Sequence, residues 1–369
     1  MQLVKATRDA VLKPLQVVAG IIERRHTLPI LSNVLITKAG EEVAFVGTDI
    51  EIQIRTAASL SSGNESMGTT VSARKLLDIL KSLPESNDVS ISVANKRMTL
   101  TSGKSRFALQ TLDPTDFPQV AQVSEYAAQF ELPQKTLKHL LAMVHFAMAQ
   151  QDIRYYLNGV LLVVDGESLR VVATDGHRLA YCSVENPSMN LPKQEVIVPR
   201  KTVIELQRLL NDNDDPVQLA IASNQARFTF SNIELVSKLV EGKFPDYQRV
   251  IPSGYTHGIT LDRDELSRAL QRAGILTSDK FRGVRFGLEA DSLKIQVNNA
   301  EQEEALEELD CEFSGTPMTI GFNISYLLDV LGNLKSETVR LEFGDTNSSA
   351  LLTVPGDEGF KYVVMPMRI

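Results

Sequence analysis

The chain has 369 residues, 43% of them hydrophobic and 23% charged, a composition of globular protein whose length predicts two or three domains. Its two cysteines exclude a disulfide framework, and without a signal peptide or a membrane-length apolar run we expect a soluble, cytoplasmic protein. The formal net charge of −8 argues against a nucleic-acid partner, unless the charge is unevenly distributed.

The first part of the chain predicts a helix, strands and a second helix. TRDAVLKPLQVV, from Thr7, opens in the same way as two later helical segments and so predicts a helix, which Pro14 should kink or whose regular part it should delay. Alternating runs at Val34–Ile36 and Val43–Val46 predict strands, and GTDIEIQI follows them. SARKLLDILKSL then predicts a second helix from Ser72.

The same order recurs twice. LPQKTLKHLLAMV and LDRDELSRALQRA predict helices; Pro133 suits a first helical turn, and Asp262 with Glu265 resembles a capping box. Strand-like runs follow at Gly159–Val164, Leu169–Ala173, Val284–Leu288 and Leu293–Val297. VPRKTVIELQRLL, from Val198, and FNISYLLDVLGNL, from Phe322, predict the second helices.

The segments between strands and second helix are also related: GTDIEIQI, ATDGHRLA and VNNAEQEE. Thr48-Asp49 and Thr174-Asp175 lie 126 positions apart. We therefore predict three similar domains, 1–124, 129–250 and 257–369, with joints near 120–128 and 250–258. Each has two helices on one side of an antiparallel sheet, so the fold class is α+β.

Three motifs could indicate an enzyme, but each has a simpler interpretation. Asp175 occupies a repeated scaffold position, and His177 has no accompanying nucleophile motif, so a structural or binding role is favoured over general-base chemistry. A phosphate loop ending in Gly103-Lys104-Ser105 would need glycine where Met98 stands, which favours a polar hairpin turn. The acidic run EQEEALEELD, from Glu301, suits an edge strand or salt-bridged interface better than a cation site. No catalytic residue, metal site or cofactor is predicted.

Positive charge is concentrated on the predicted helices. The six helical segments carry a net charge of +8, so the remainder carries −16. Basic helices on an acidic body would hold DNA on one face and repel it elsewhere. Ordinary amphipathic helices explain the count equally well, so both interpretations stay open.

Seven motifs give the chain a resemblance to the bacterial β sliding clamp family, the processivity subunits of DNA polymerase III. They are RYYLNG (154–159), ATDGHRLA (173–180), VPRK (198–201), KFPDY (243–247), KFRGVR (280–285), NNAEQEEA (298–305) and YVVMPMR (362–368). The match spans all three domains in order. Ile369, where leucine is common in the family, is a conservative departure.

The resemblance implies a non-catalytic, head-to-tail homodimer that closes into a ring around duplex DNA. Helices would line the interior and antiparallel sheets would lie outside. An ATP-driven loader would open the ring, which would tether the polymerase III core, other polymerases and repair proteins through short peptide motifs, with no membrane partner.

The resemblance also implies three sets of site residues. The DNA-binding set is Arg25, Gln151, Tyr155, Tyr156, Arg200 and Lys201, although the two tyrosines could equally be core aromatics. The partner-peptide pocket comprises Leu157, Thr174, Gly176, His177, Arg178, Leu179, Pro245, Arg249, Val250, Asn323, Tyr326, Ser349, Val363, Val364, Met365, Pro366, Met367 and Arg368. The dimer interface comprises Lys75, Lys104, Arg106 and Phe107 against Ile275, Leu276, Glu301, Glu303, Glu304 and Glu307.

Two other functions remain open at this point. A nucleic-acid-processing enzyme is disfavoured by the absent motifs, and a scaffold that does not bind DNA is not excluded by composition.

Overall fold

The computed structural model describes residues 1–23, 27–60, 65–121, 123, 125–186, 189–278 and 282–369. Within them, one order of elements occurs three times: a strand, a helix, four strands, a second helix and three strands. The prediction of three similar α+β domains is therefore confirmed.

The bounds of the elements in the three copies are as follows. The first copy contains β1 (Gln2–Thr7), α1 (Arg8–Ala19), β2 (Asn33–Ala39), β3 (Glu42–Thr48), β4 (Ile52–Ser59), β5 (Ser66–Ser72), α2 (Ala73–Ser82), β6 (Asp88–Ala94), β7 (Arg97–Ser102) and β8 (Ser105–Leu112). The second contains β9 (Ala128–Pro133), α3 (Gln134–Ala142), β10 (Gly159–Gly166), β11 (Ser168–Thr174), β12 (Arg178–Glu185), β13 (Leu191–Pro199), α4 (Arg200–Leu209), β14 (Pro216–Ile221), β15 (Gln225–Phe230) and β16 (Ile233–Lys238). The third contains β17 (His257–Asp262), α5 (Arg263–Ala273), β18 (Gly283–Leu288), β19 (Ser292–Asn298), β20 (Glu304–Asp310), β21 (Met318–Asn323), α6 (Ile324–Asn333), β22 (Thr338–Phe343), β23 (Ala350–Val354) and β24 (Asp357–Val364).

The first helix of each copy follows a strand that the sequence interpretation did not include. Thr7, Pro133 and Asp262 end the strands β1, β9 and β17, and the helices begin at the next residue. Because no turn residues separate each strand from its helix, the sequence contains no signal that marks where the strand ends and the helix begins. Pro14 lies buried inside α1 and does not delay its start at Arg8.

Residues beside the second helices provide their N-terminal caps. The Ser72 hydroxyl accepts a hydrogen bond from the backbone N–H of Lys75, and the Asn323 side chain accepts one from that of Ser325. Such bonds satisfy backbone donors that have no partner within the helix. The predicted polar hairpin is also present, because Ser102 pairs with Ser105 around Gly103 and Lys104.

One compact unit comprises Met1–Leu137 with Ile204–Leu239. It contains a twelve-stranded antiparallel sheet in the order β1-β6-β7-β8-β5-β2-β3-β4-β16-β15-β14-β9. Strand β4 of the first copy pairs with β16 of the second, from Ile52↔Ser237 to Thr56↔Ile233. Helix α1 buries Val11, Leu15 and Val18.

The other compact unit comprises Lys138–Val203 with Val240–Ile369. Its eight-stranded sheet has the order β13-β10-β11-β12-β24-β23-β22-β17, and its four-stranded sheet the order β20-β19-β18-β21. Strand β12 of the second copy pairs with β24 of the third. Each copy thus has two groups of four strands, whereas the sequence predicted one sheet.

The two units divide the second copy because each half of its strands is hydrogen-bonded to a neighbouring copy. The domain boundaries at 1–124, 129–250 and 257–369 stay predictions. None of the helices formed by the described residues has the length and apolar character needed to cross a membrane.

Candidate functional site

The segment ATDGHRLA forms the tight connection between β11 and β12. The Thr174 hydroxyl accepts a hydrogen bond from the N–H of Gly176 (3.1 Å) and donates one to the carbonyl of Arg178 (2.5 Å). The Asp175 carboxylate accepts bonds from the N–H groups of His177 (2.9 Å) and Arg178 (3.1 Å). Both side chains are therefore occupied in shaping the turn, as expected for a scaffold position.

Gly176 adopts a φ of 92°, in the region that side chains other than hydrogen rarely occupy. A Cβ atom there would also lie 3.0 Å from a guanidinium nitrogen of Arg154. Arg154 in turn pairs with Asp152 at 2.9 Å, and this contact lowers the pKa of the Asp152 carboxyl to about 2. The ion pair of Arg154 with Asp152 therefore lies against one side of the turn.

Arg178 is the most highly connected side chain of this region, with only 9% of it exposed. Its Nε atom lies 3.1 Å from an oxygen of Asp175, and its Nη1 atom 2.6 Å from an oxygen of Asp329. Nη2 donates to the carbonyl of Phe146 (2.7 Å), and the guanidinium carbon lies 4.4 Å from the ring centre of Tyr326. The guanidinium thus joins the turn to α6 in geometry typical of a buried arginine fork.

A cleft beside Arg178 encloses about 540 Å³. Its walls include His145, Phe146 and Met148 as well as His177 and the α6 residues already named. The His177 ring is exposed and lies 6.4 Å from that of Tyr326. The cleft is thus lined by a mixture of aromatic, charged and apolar side chains.

Three apolar members of the predicted pocket meet in one buried cluster. Leu157, Leu179 and Val363 pack together with Phe244 and Tyr247. Leu179 is paired with Val363 across β12 and β24, which explains how residues far apart in sequence come to share this wall. The prediction that Val363 and Val364 lie in the sheet is confirmed.

The last residues of the chain continue from β24 past the turn. The N–H of Met365 donates to the carbonyl of His177 (2.9 Å), and that of Met367 donates to the carbonyl of Gly321 (2.7 Å). Met365 and Met367 themselves stay 48% and 39% exposed. The terminal segment is therefore held by its backbone while its flexible apolar side chains face outward.

Three predicted pocket residues have other local roles. Asn323 caps α6, and the carbonyl of Ser349 accepts a hydrogen bond from the Tyr255 hydroxyl (2.7 Å). Arg249 is 87% exposed and pairs with Asp246. Pro245, Val250, Pro366 and Arg368 lie at or near the surface.

The predicted DNA-binding residues of the second copy lie close together. Arg200, the first residue of α4, bonds through its N–H to the carbonyl of Asn158 and through its guanidinium to that of Met148. The loop between these carbonyls carries Gln151 and Tyr155, both exposed. Lys201 follows in the first turn of α4. Tyr156 instead packs against the buried cluster, and Arg25 lies outside the described residues.

The dimer-interface prediction concerns two separate places in the chain. Lys75 is exposed at the start of α2, and Lys104, Arg106 and Phe107 lie in and beside β8. Ile275 and Leu276 follow α5, where Ile275 is 78% exposed. Glu301 and Glu303 lie in the turn before β20, and Glu304 and Glu307 lie in β20 itself. Arg272 pairs with Glu307 and lowers the pKa of its carboxyl.

Sequence reasoning missed two partners of Arg178. Phe146 and Asp329 are 32 and 151 positions away, and no local motif links them to the turn. Asp329 does lie one helical turn beyond Tyr326, so the predicted role of Tyr326 could have indicated it.

Comparison with known proteins identifies close relatives over the whole chain. Family models for the N-terminal, central and C-terminal domains of the DNA polymerase III beta subunit match residues 2–121, 131–246 and 248–368. The beta sliding clamp of Pseudomonas putida is 48% identical over 362 residues, and that of Escherichia coli strain K12 is 46% identical, with 98% of each chain covered.

Solved structures give the same result. The sliding clamp of Pseudomonas aeruginosa bound to griselimycin has a TM-score of 0.96 with 46% identity, and the polymerase III beta protein of Caulobacter crescentus a TM-score of 0.93 with 36% identity. Both comparisons cover 100% of each chain.

Proposed function

Because this chain belongs to the DNA polymerase III beta subunit family, the non-catalytic DNA sliding clamps, we propose that two copies close head to tail into a ring around duplex DNA. The observation that carries the proposal is the way consecutive copies share their sheets. The first copy pairs with the second through β4 and β16, and the second with the third through β12 and β24. The next equivalent pair is β20 of the third copy with β8 of a first copy.

Both of these strands have an edge available for pairing. In the order of its sheet, β20 is terminal. Among the described residues, β8 pairs with β7 along its length, but with β5 only at Thr111 and Leu112. A second chain would supply the missing neighbour at each edge, and a contact of this head-to-tail kind avoids open filaments only if it closes into a ring.

The side chains at the two edges are complementary. Lys104 and Arg106 give β8 and the turn before it positive charge, and Lys75 of α2 belongs to the same predicted set. Glu304 and Glu307 in β20, with Glu301 and Glu303 in the turn before it, give the other edge negative charge. Two large apolar residues of the third copy are also exposed, Leu306 in β20 by 59% and Ile275 after α5 by 78%. Apolar anchors surrounded by opposite charges are typical of a specific protein interface.

The DNA contact in this proposal uses phosphates and reads no sequence. The six helical segments predicted from the sequence carry +8 on a chain of net charge −8, and Arg200 with Lys201 opens the helix α4. Phosphate contacts position a protein on a duplex without specifying sequence, as sliding requires. An ATP-driven loader would open the ring.

The groove around His177 would bind the partner proteins. The apolar wall, the outward-facing methionines and the cleft suit short extended peptides from the polymerase III core, the loader, other polymerases and repair proteins. Griselimycin bound to the P. aeruginosa relative supports a ligand groove in this chain too.

The ring is tested by replacing the exposed apolar anchors. We expect Ile275→Ala with Leu276→Ala to give a folded monomer in sedimentation, because apolar anchors usually outweigh rim charges. Ile153→Ala, at a 93% exposed isoleucine elsewhere, should stay dimeric. An intact dimer for the double variant would contradict the proposed interface.

The topological link is tested on DNA. Once loaded onto a nicked circular plasmid, the wild type should stay bound through gel filtration and be released when the plasmid is linearised. Equal retention on both forms would contradict encirclement, and absence of retention would favour a scaffold that does not bind DNA. Cleavage of labelled DNA with a divalent metal would indicate a processing enzyme instead.

A further inference from the structure

The turn that shapes the peptide groove occurs a second time, between β3 and β4 of the first copy. The Thr48 hydroxyl accepts from the N–H of Ile50 (3.0 Å) and donates to the carbonyl of Ile52 (2.9 Å). Asp49 accepts from the N–H groups of Glu51 (2.9 Å) and Ile52 (2.8 Å). These are the same four hydrogen bonds, position for position, that Thr174 and Asp175 make.

The surroundings of the two turns correspond as well. The N–H of Lys238, at the end of β16, donates to the carbonyl of Glu51 (2.8 Å), as Met365 after β24 does to His177 (2.9 Å). In the first copy, Leu35, Val46 and Phe117 form a buried cluster. Their counterparts Leu161, Val172 and Phe244 belong to the buried cluster of the second copy that also contains Leu179.

Ile50 stands where the second turn has Gly176, and it is strained. Its φ of 81° is an outlier for a β-branched residue, yet 37% of the side chain is exposed. More than a third of Ile50 is therefore accessible to a ligand. Such residues concentrate at binding sites, where the surrounding structure holds them in place.

Ile50 lines a groove of about 240 Å³ whose other walls include Pro118, Val120 and Asn224. The groove begins where the β4–β16 pairing ends, so it continues an interface between copies. Most of its exposed lining is apolar, and Lys238 stands on its rim with 45% of its side chain exposed.

We propose that this groove is a second peptide site, which takes a short extended segment with aliphatic side chains and one acidic residue. The aliphatic side chains would contact Ile50 and Val120, and the acidic residue would share the Lys238 ammonium with Glu51, which lies 3.2 Å away. The first groove has Met365 and His177 at the positions of Lys238 and Glu51. The two grooves should therefore prefer different peptides, the second favouring the more acidic ones. This inference rests on the proposed function, because the second groove is recognised as a repeat of the proposed peptide groove around His177.

One titration of the full-length protein tests both grooves separately. The probe is acetyl-Ser-Leu-Asp-Leu-Phe, added to protein labelled at the isoleucine δ1 and methionine ε methyl groups. In methyl NMR, Met365 and Met367 report on the first groove and Ile50 on the second. We expect saturable chemical-shift changes of the methyl signals in both grooves, with weaker affinity for the peptide at Ile50. Shifts confined to the methionines would overturn the second site alone, whereas shifts confined to Ile50 would contradict the first.

Two variants of one residue separate binding from folding. Ile50→Ala and Ile50→Gly should each weaken the second event at least tenfold, read from the Val120 and Lys238 amide signals. Only Ile50→Gly relieves the positive φ, so its Tm should rise by about 2–4 °C while that of Ile50→Ala does not. Ile204→Ala, at another exposed isoleucine, should leave both grooves unchanged. Unchanged affinity in both Ile50 variants would overturn the proposal.

Discussion

At the scale of single residues, Arg178 acts mainly by organising the groove. Its guanidinium is already bonded to Asp175, Asp329 and the carbonyl of Phe146, and it stacks on Tyr326. A lysine could not reproduce this set, since an ammonium has neither the planar fork nor the stacking face of a guanidinium. Arg178 thereby holds together parts of the groove that come from the second and third copies.

We therefore expect Arg178→Lys and Asp329→Asn each to weaken binding of a peptide ending in Leu-Phe by about 5- to 30-fold, or about 1–2 kcal/mol. Fluorescence polarisation measures this, and sedimentation should still show a dimer. Arg74→Lys, at a 63% exposed arginine paired within α2, is the matched control. Wild-type affinity in Asp329→Asn would mean that the ion pair does not organise the groove.

His145, on the cleft wall, should make stability depend on pH. Burial lowers its pKa from 6.5, and the nearby Arg200 lowers it further, although Asp329 and a hydrogen bond to the Ala142 carbonyl oppose this. The folded state therefore binds fewer protons than the unfolded state at mildly acidic pH. The neutral His145 side chain therefore contributes to the free energy of unfolding above pH 6.5. This contribution is lost as the pH falls through the lowered pKa of His145 in the folded state.

Between pH 7.5 and 5.5 the wild-type Tm should fall, and His145→Asn should show a smaller fall. His139→Asn, at an exposed histidine of α3, should keep the wild-type slope. Equal slopes for all three proteins in differential scanning calorimetry would exclude this role for His145.

At the scale of elements, the periodicity of the sequence predicted the helices but missed three strands and the strand pairings between copies. All six helices appear among the described residues, because their apolar spacing and their caps at Ser72 and Asp262 are local signals. Strands β1, β9 and β17 were missed because each joins its helix without a turn. The β4–β16 and β12–β24 pairings depend on partners more than 170 positions apart, which no local pattern specifies.

The same limit applied to the candidate sites. The pairing of Leu179 with Val363 puts two predicted residues side by side, but the resemblance, not spacing, had indicated them. Phe146 and Asp329 belong to the site only because the long Arg178 side chain reaches both of them. Side chains that meet because of how copies pack are not visible in the periodicity of either copy.

The C-terminal segment after β24 should be separable from the rest of the chain. Deleting Met365–Ile369 removes the two exposed methionines and the bond to the His177 carbonyl, but no residue proposed for the dimer or DNA. We expect affinity for the Leu-Phe peptide to fall at least about 30-fold, as for loss of a binding hot spot. Fluorescence polarisation of the truncated dimer measures this. Unchanged affinity would put the partner site elsewhere.

At the scale of the whole molecule, one architecture carries three different surfaces. The turn between the third and fourth strands of a copy presents Ile50 and Glu51 in the first, His177 in the second and Glu301 in the third. In the first two copies the Thr and Asp side chains of this turn make the same hydrogen bonds to the backbone, while the exposed side chains differ. Repetition therefore supplies the scaffold, and we propose that a few exposed side chains give each copy its own partner.

The charge distribution makes a quantitative prediction for DNA. Each phosphate contact contributes about −0.9 to the slope of log K against log salt concentration for duplex DNA. Arg200→Ala with Lys201→Ala should reduce the slope by about 1–2 in fluorescence anisotropy with a short duplex. Arg74→Lys, which keeps its charge, should leave the slope unchanged. A wild-type slope in the double variant would mean that these residues do not contact phosphate.

The sharing of sheets between copies also limits how the protein can be divided. Cutting at the predicted joints would leave the second copy with β16 and β12 as bare edges, since β4 and β24 would be gone. Exposed edges pair readily with other chains. A fragment spanning 129–250 should therefore aggregate or form fibres, even though its sequence holds a complete set of elements. We therefore expect the second copy to fold only together with both of its neighbours.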